Sequence, residues 1–158
     1  MHKSVIISLL LFFALGHGNS QQRDLNKSLF YTVLKSGTLQ QINEQLNILK
    51  ASAGSEKEAY EGVLLMKKSG LSAKAKDKLN LFQSGRSKLE SSILKNRNNI
   101  EYRFLRLIIQ EHAPKVVKYR NELEADSKLI HTNFKSLSPF LQQQIIDYGK
   151  SSKILKLP

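Results

Sequence analysis

Four histidines, His2, His17, His112 and His131, are the side chains of this sequence whose ordinary pKa lies near neutrality, and no cysteine accompanies them. A helical metal pair needs two ligands one turn apart, and neither a His-Glu-x-x-His run nor the Glu-x-x-His element of di-iron bundles occurs. Without cysteine there is no thiolate nucleophile, thiolate zinc site, iron–sulfur cluster or disulfide. Glu111, His112, Glu122, Asp126 and His131 can meet only through the fold, and the plainer reading places them on the surface flanking Pro114. Gly-x-x-x-x-Gly-Lys, Gly-x-Gly-x-x-Gly and Gly-x-Ser-x-Gly patterns are all missing. The sequence therefore predicts no enzyme, no metal and no cofactor.

Arginine offers a second chemistry. Arg103 and Arg106 stand three positions apart in the otherwise apolar-rich run EYRFLR at residues 101–106. A charge so close to a core is expensive unless it is paired. One expectation is a structural clamp between helices, with Glu58, Glu61 or Glu90 as partner. The other is an anion-binding or peptide-binding pair in an inter-helical groove, with Tyr60 and Tyr102 as its rim.

Lysine offers a third. The formal net charge is +12, and residues 71–100 carry seven basic residues against only Asp77 and Glu90. Lys67, Lys68, Lys74, Lys78, Arg86 and Lys88 form the candidate surface for an anionic polymer or for lipid headgroups, and Lys74 and Lys78 share one helical face. A solvated lysine face explains the same residues. The basic residues are mostly lysine and lack interleaved aromatics, which argues against sequence-specific nucleic-acid recognition.

The elements that must position these residues are helices. Asp24 is placed to cap a first segment carrying Leu25, Leu29, Val33 and Leu34, which Gly37 ends. Thr38 with Gln41 forms a capping box leading Leu39, Ile42, Leu46 and Leu49; Ser55 with Glu58 predicts another, leading Ala59, Val63 and Met66. Leu79, Phe82, Leu89 and Ile93 keep helical spacing across residues 72–95, with Gly85 marking a bend or a close helix–helix contact. Asn98 or Asn99 caps a segment with Ile100, Phe104, Leu107 and Ile108. Pro114 is placed to begin another, in which Val117, Leu123, Ile130 and Phe134 face the core. Ser138-Pro139 opens the last, with Phe140, Leu141, Ile145 and Ile146. No window alternates like a strand. The fold expected is all-α: helical hairpins forming a small bundle of about six or seven helices.

One stretch within residues 59–107 has a more particular spacing. Small Gly85 is followed by bulky Leu89, small Ser92, Arg97 and Asn99, while Tyr60 and Gly62 precede it. This resembles about one imperfect tetratricopeptide repeat, with Arg97 where that family has proline and a longer interval from Gly62 to Gly85. Phe104 and Leu107 fall on the following helix after a one-residue shift. The resemblance implies a stacked helical array presenting a groove to a peptide or protein.

Lys3, the apolar run at residues 5–15 and the small residues after it have the order of a secretory signal peptide, and the run is about half the length of a spanning helix. The expected organisation is a signal peptide at 1–20, one helical domain at 21–149 and a frayed basic tail at 150–158. The expected protein is exported to the periplasm or secreted, lacks a transmembrane span and is not an enzyme. It binds another envelope or secreted protein, or attaches by charge to an anionic polymer or membrane surface.

Overall fold

The structure, a computed structural model, describes residues 25–156; the expected signal peptide and the Asp24 cap lie outside the described residues. The described chain is all-α, with seven α-helices in one bundle and no strand. They are α1 (Lys27–Ser36), α2 (Leu39–Ala51), α3 (Lys57–Leu71), α4 (Ala75–Lys95), α5 (Ile100–His112), α6 (Leu123–Asn133) and α7 (Pro139–Gly149). Short 3₁₀ turns at Lys115–Val117 and Phe134–Ser136 flank α6. No helix among the described residues is long and apolar enough to cross a membrane.

Local chemistry accounts for most boundaries. The Asn26 side chain accepts from the Leu29 N–H at 3.0 Å and starts α1. At α2 both halves of the capping box form, Gln41 N–H to Thr38 Oγ1 at 3.3 Å and Thr38 N–H to Gln41 Oε1 at 2.9 Å. Asn99 caps α5 and Ser138 caps α7, with Pro139 in the first turn. The box expected at Ser55 does not form. Glu56 already has helical backbone at the start of α3, and the Glu58 carboxylate is drawn away to Lys88 Nζ at 2.8 Å.

The tightest packing joins α3 to α4. A Cβ on Gly62 would lie 2.6 Å from the Gly85 carbonyl oxygen, so two backbones meet where any side chain would hold them apart. Phe30, Tyr60, Leu64, Leu89, Phe104, Leu105 and Ile130 fill the centre between the helices. Four expected core positions, Leu29, Leu39, Leu79 and Ile146, are instead exposed, because each lies at the flank or end of its apolar stripe.

Two stretches depart from expectation. Pro114 does not begin a helix: the 3₁₀ turn after it ends at Lys118 in left-handed backbone (φ 47°), and α6 starts only at Leu123. That break sends Tyr119 inward, edge-on to Phe82 at 5.8 Å, with its hydroxyl donating to Glu90. The tail is not frayed over residues 150–156. Leu155 is fully buried, and Glu111 accepts from Ser152 Oγ and the Lys153 N–H, both at 2.6 Å. Ser152 Oγ in turn accepts from the Leu155 N–H at 2.8 Å. Burial of Leu155, together with the Glu111 hydrogen bonds, opposes the entropy of a free end.

Candidate functional site

Arg106 is buried at the seam of α4, α5 and α6. Its Nε and Nη2 donate to the two Asp126 carboxylate oxygens at 2.7 and 2.8 Å, and its Nη1 donates to Glu90 at 2.9 Å. This fork-to-fork geometry suits a guanidinium and fixes α5 against both neighbours. Burial alone would lower the Arg106 pKa, but Asp126 and Glu90 outweigh it and raise it further. Burial likewise pushes the Asp126 carboxyl up against the pull of both arginines. Arg103 lies beside the pair, 3.7 Å from Asp126 Oδ1, and donates to the Arg97 carbonyl at 3.2 Å.

The tyrosines of the expected groove belong to the interior. Tyr60 is 1% exposed and Tyr102 4%, their rings meeting edge-on at 6.4 Å. Burial pushes the Tyr102 hydroxyl up to about 12 and Tyr60 well above its ordinary value. Tyr60 and Tyr102 thus do not rim a groove around the arginines, which form the clamp instead; of the four, Arg106 borders a small polar recess. Of the partners expected for that clamp, Glu90 serves, whereas Glu58 and Glu61 pair with Lys88 at 2.8 and 3.1 Å. Asp126, the main partner, was missed. The available signal was an acid between Leu123 and Ile130 on the inward stripe of α6.

The six basic candidates do not share one surface. Lys88 is tied to Glu58 and Glu61, and the Arg86 guanidinium stacks over the Tyr119 ring at 4.7 Å. Lys67 reaches toward α1, donating to the Lys35 carbonyl at 3.4 Å. Lys68, Lys74 and Lys78 are left near the loop joining α3 to α4. The five conceivable catalytic residues are dispersed too, with Asp126 and Glu122 facing Arg106 and Glu111 holding the tail.

A cleft of about 450 Å³ lies elsewhere, where α1, α5 and α7 meet. Its floor is Leu34, Phe104, Ile108 and Ile109, with the rings of Tyr31 and Tyr148 packed on Phe104 at 6.1 and 5.7 Å. Lys35 and Lys67 stand at its rim, neither in an ion pair among the described residues. Asp147 lies opposite and is paired with Lys150 at 2.6 Å, which holds its carboxyl below the usual range. Thr32, Gln144 and Ser151 add hydrogen-bonding groups, and His112 contributes its ring while its Nδ1 faces the Ile108 carbonyl at 2.9 Å. Burial pushes the Tyr148 hydroxyl up, and Glu111, which accepts its proton at 2.7 Å, reinforces this.

A second, smaller recess of about 170 Å³ is polar, and Arg106 and Tyr119 in its wall both donate to Glu90. Sequence reasoning assigned Phe104 and Ile108 to the core and did not single out Lys35, Gln144 or Tyr148, because the cleft arises only where α1 and α7 converge. No protein-family model, no curated protein and no solved structure matches the chain. The fold and the cleft define an all-α bundle with an open apolar site.

Proposed function

We propose that this protein is a non-catalytic helical binding module, and that the α1/α5/α7 cleft receives an apolar side chain of a peptide or protein flanked by acidic residues. The observation that carries the reading is the pairing of an apolar, aromatic-walled floor with Lys35 and Lys67 at the rim, neither in an ion pair among the described residues. The floor supplies affinity by burial; the lysines favour a carboxylate beside the anchor; Thr32, Gln144 and Ser151 suit an extended backbone. The titratable groups Glu90, Glu111, Asp126 and Tyr119 are engaged in holding helices and tail together.

The apolar run at residues 5–15 supports export, which places the partner among envelope or secreted proteins. The test is fluorescence anisotropy with labelled peptides carrying one leucine or phenylalanine anchor between two glutamates, against the same anchors between two lysines. The acidic peptides should bind saturably, and the K35E/K67E variant should lose about tenfold in affinity. Equal binding of both peptide sets, or an unchanged K35E/K67E variant, would reject the proposal.

A further inference from the structure

The end of the α3–α4 hairpin has a composition that neither the core nor the cleft explains. Every residue from 73 to 80 is exposed, so the first turns of α4 project beyond the body of the bundle. The apolar stripe Leu79–Phe82–Leu89 runs off that end: Phe82 is buried, but Leu79, one turn earlier, is 51% exposed. Leu71, the last residue of α3, is 47% exposed on the other arm. Around these leucines stand Lys68, Lys74, Lys76 and Lys78, with Asp77 the one acidic residue from 67 to 79. Among the described residues none of these four lysines makes an ion pair.

Three kinds of partner could meet such a surface, and they ask for different things. A soluble polyanion uses the lysines and leaves the leucines in water. A protein partner of ordinary kind requires a broad contact with a mostly uncharged centre. A bilayer carrying anionic lipids uses both sets at once, leucines entering the boundary between headgroups and acyl chains while lysine stems lie along it and place their ammonium groups on phosphates. A projecting tip also reaches a flat surface without displacing the rest of the fold.

We infer that the loop end of the α3–α4 hairpin, through Leu71 and Leu79 with Lys68, Lys74 and Lys78, docks this protein on the surface of an anionic membrane. The contact is peripheral and reversible, because two leucines and a few charges give far less than an inserted helix. It stands independently of the cleft, which lies where α1, α5 and α7 meet.

The experiment is co-sedimentation of the full chain with vesicles of phosphatidylcholine alone or containing about one-third phosphatidylglycerol, at low and at physiological salt. The quantity read is the excess bound to anionic over neutral vesicles, so anything common to both lipids cancels. The parent should show an excess that falls with salt. The K68Q/K74Q/K78Q variant should lose about tenfold or more of it, and the L71S/L79S variant about threefold to fivefold. All positions but Lys68 are exposed, and unchanged helical circular dichroism confirms that the variants fold. No excess, or an excess retained in the lysine variant, overturns the inference. An unchanged leucine variant, with the parent binding polyphosphate as tightly as vesicles, replaces it with simple polyanion attachment.

Discussion

The Arg106 seam and the α1/α5/α7 cleft both draw on α5 and differ in chemistry. At the seam Arg106 and Asp126 are buried charges that answer each other, and Glu90 accepts from both Arg106 and the Tyr119 hydroxyl. At the cleft the apolar groups are the ones left without a cover, and the one acid facing the rim lysines, Asp147, is paired with Lys150. Satisfied polar groups lock helices together, whereas uncovered apolar floor with unspent charge is what a partner can use. The conspicuous arginine pair thus turns out to be structural, and the proposed binding site rests instead on the cleft that Ile108 lines.

Breaking the seam should cost most. Arg106→Ala strips buried Asp126 of its forked partner, leaving it only Arg103 at 3.7 Å, and leaves half-buried Glu90 without its ion pair; urea unfolding should show a loss of about 3 kcal/mol. Replacing both partners, R106M/D126L, should recover much of that stability, since an apolar pair of similar shape asks for no counter-charge. Leu155→Ala comes next at about 2–4 kcal/mol, because it empties a fully buried site at the docked tail. Gly85→Ala follows at about 1–3 kcal/mol, the new methyl group pushing α3 and α4 apart at Gly62 and Met66. An unchanged melting temperature for Gly85→Ala would show that the hairpin is looser than its backbone contact implies.

The tail should respond to pH. Burial pushes the Glu111 carboxyl up, but the donors Ser152 Oγ, Tyr148 Oη and the Lys153 N–H outweigh it and hold it below the usual carboxylate value. A folded-state pKa below the unfolded one means stability that is present above the ordinary glutamate range and lost as pH falls through it, from about pH 5 to about pH 3. Tryptic cutting after Lys150 and Lys153 should rise in that window, and Glu111→Gln should bring the same exposure at neutral pH. The smallest stability effect belongs to the cleft, where Ile108→Glu is half-buried and should cost about 1 kcal/mol or less while removing peptide binding.

Much of the architecture was legible because it rests on local signals. The Thr38–Gln41 box, the Asn99 and Ser138 caps and the small residue at Gly85 each act within one or two turns, and each stands where the spacing places it. What failed was non-local. Ser55 does not cap because Glu58 answers Lys88, a residue 30 positions away. The tail docks because Glu111 is waiting 41 positions before Ser152. The clamp on Arg103 and Arg106 could be anticipated from the cost of a buried charge, but its main acid, Asp126, comes from a helix that had been assumed to begin at Pro114. The cleft needs α1 and α7 to meet across α5, and no periodicity within any one of them reports that.

The most direct test of the division between seam and cleft compares two variants in one titration. Peptides with an apolar anchor between glutamates should bind R106M/D126L with the parent affinity and fail to bind I108E, both proteins retaining helical content. Parent-like affinity in I108E, or loss of binding only in R106M/D126L, would contradict the account and return the binding role to the arginine pair.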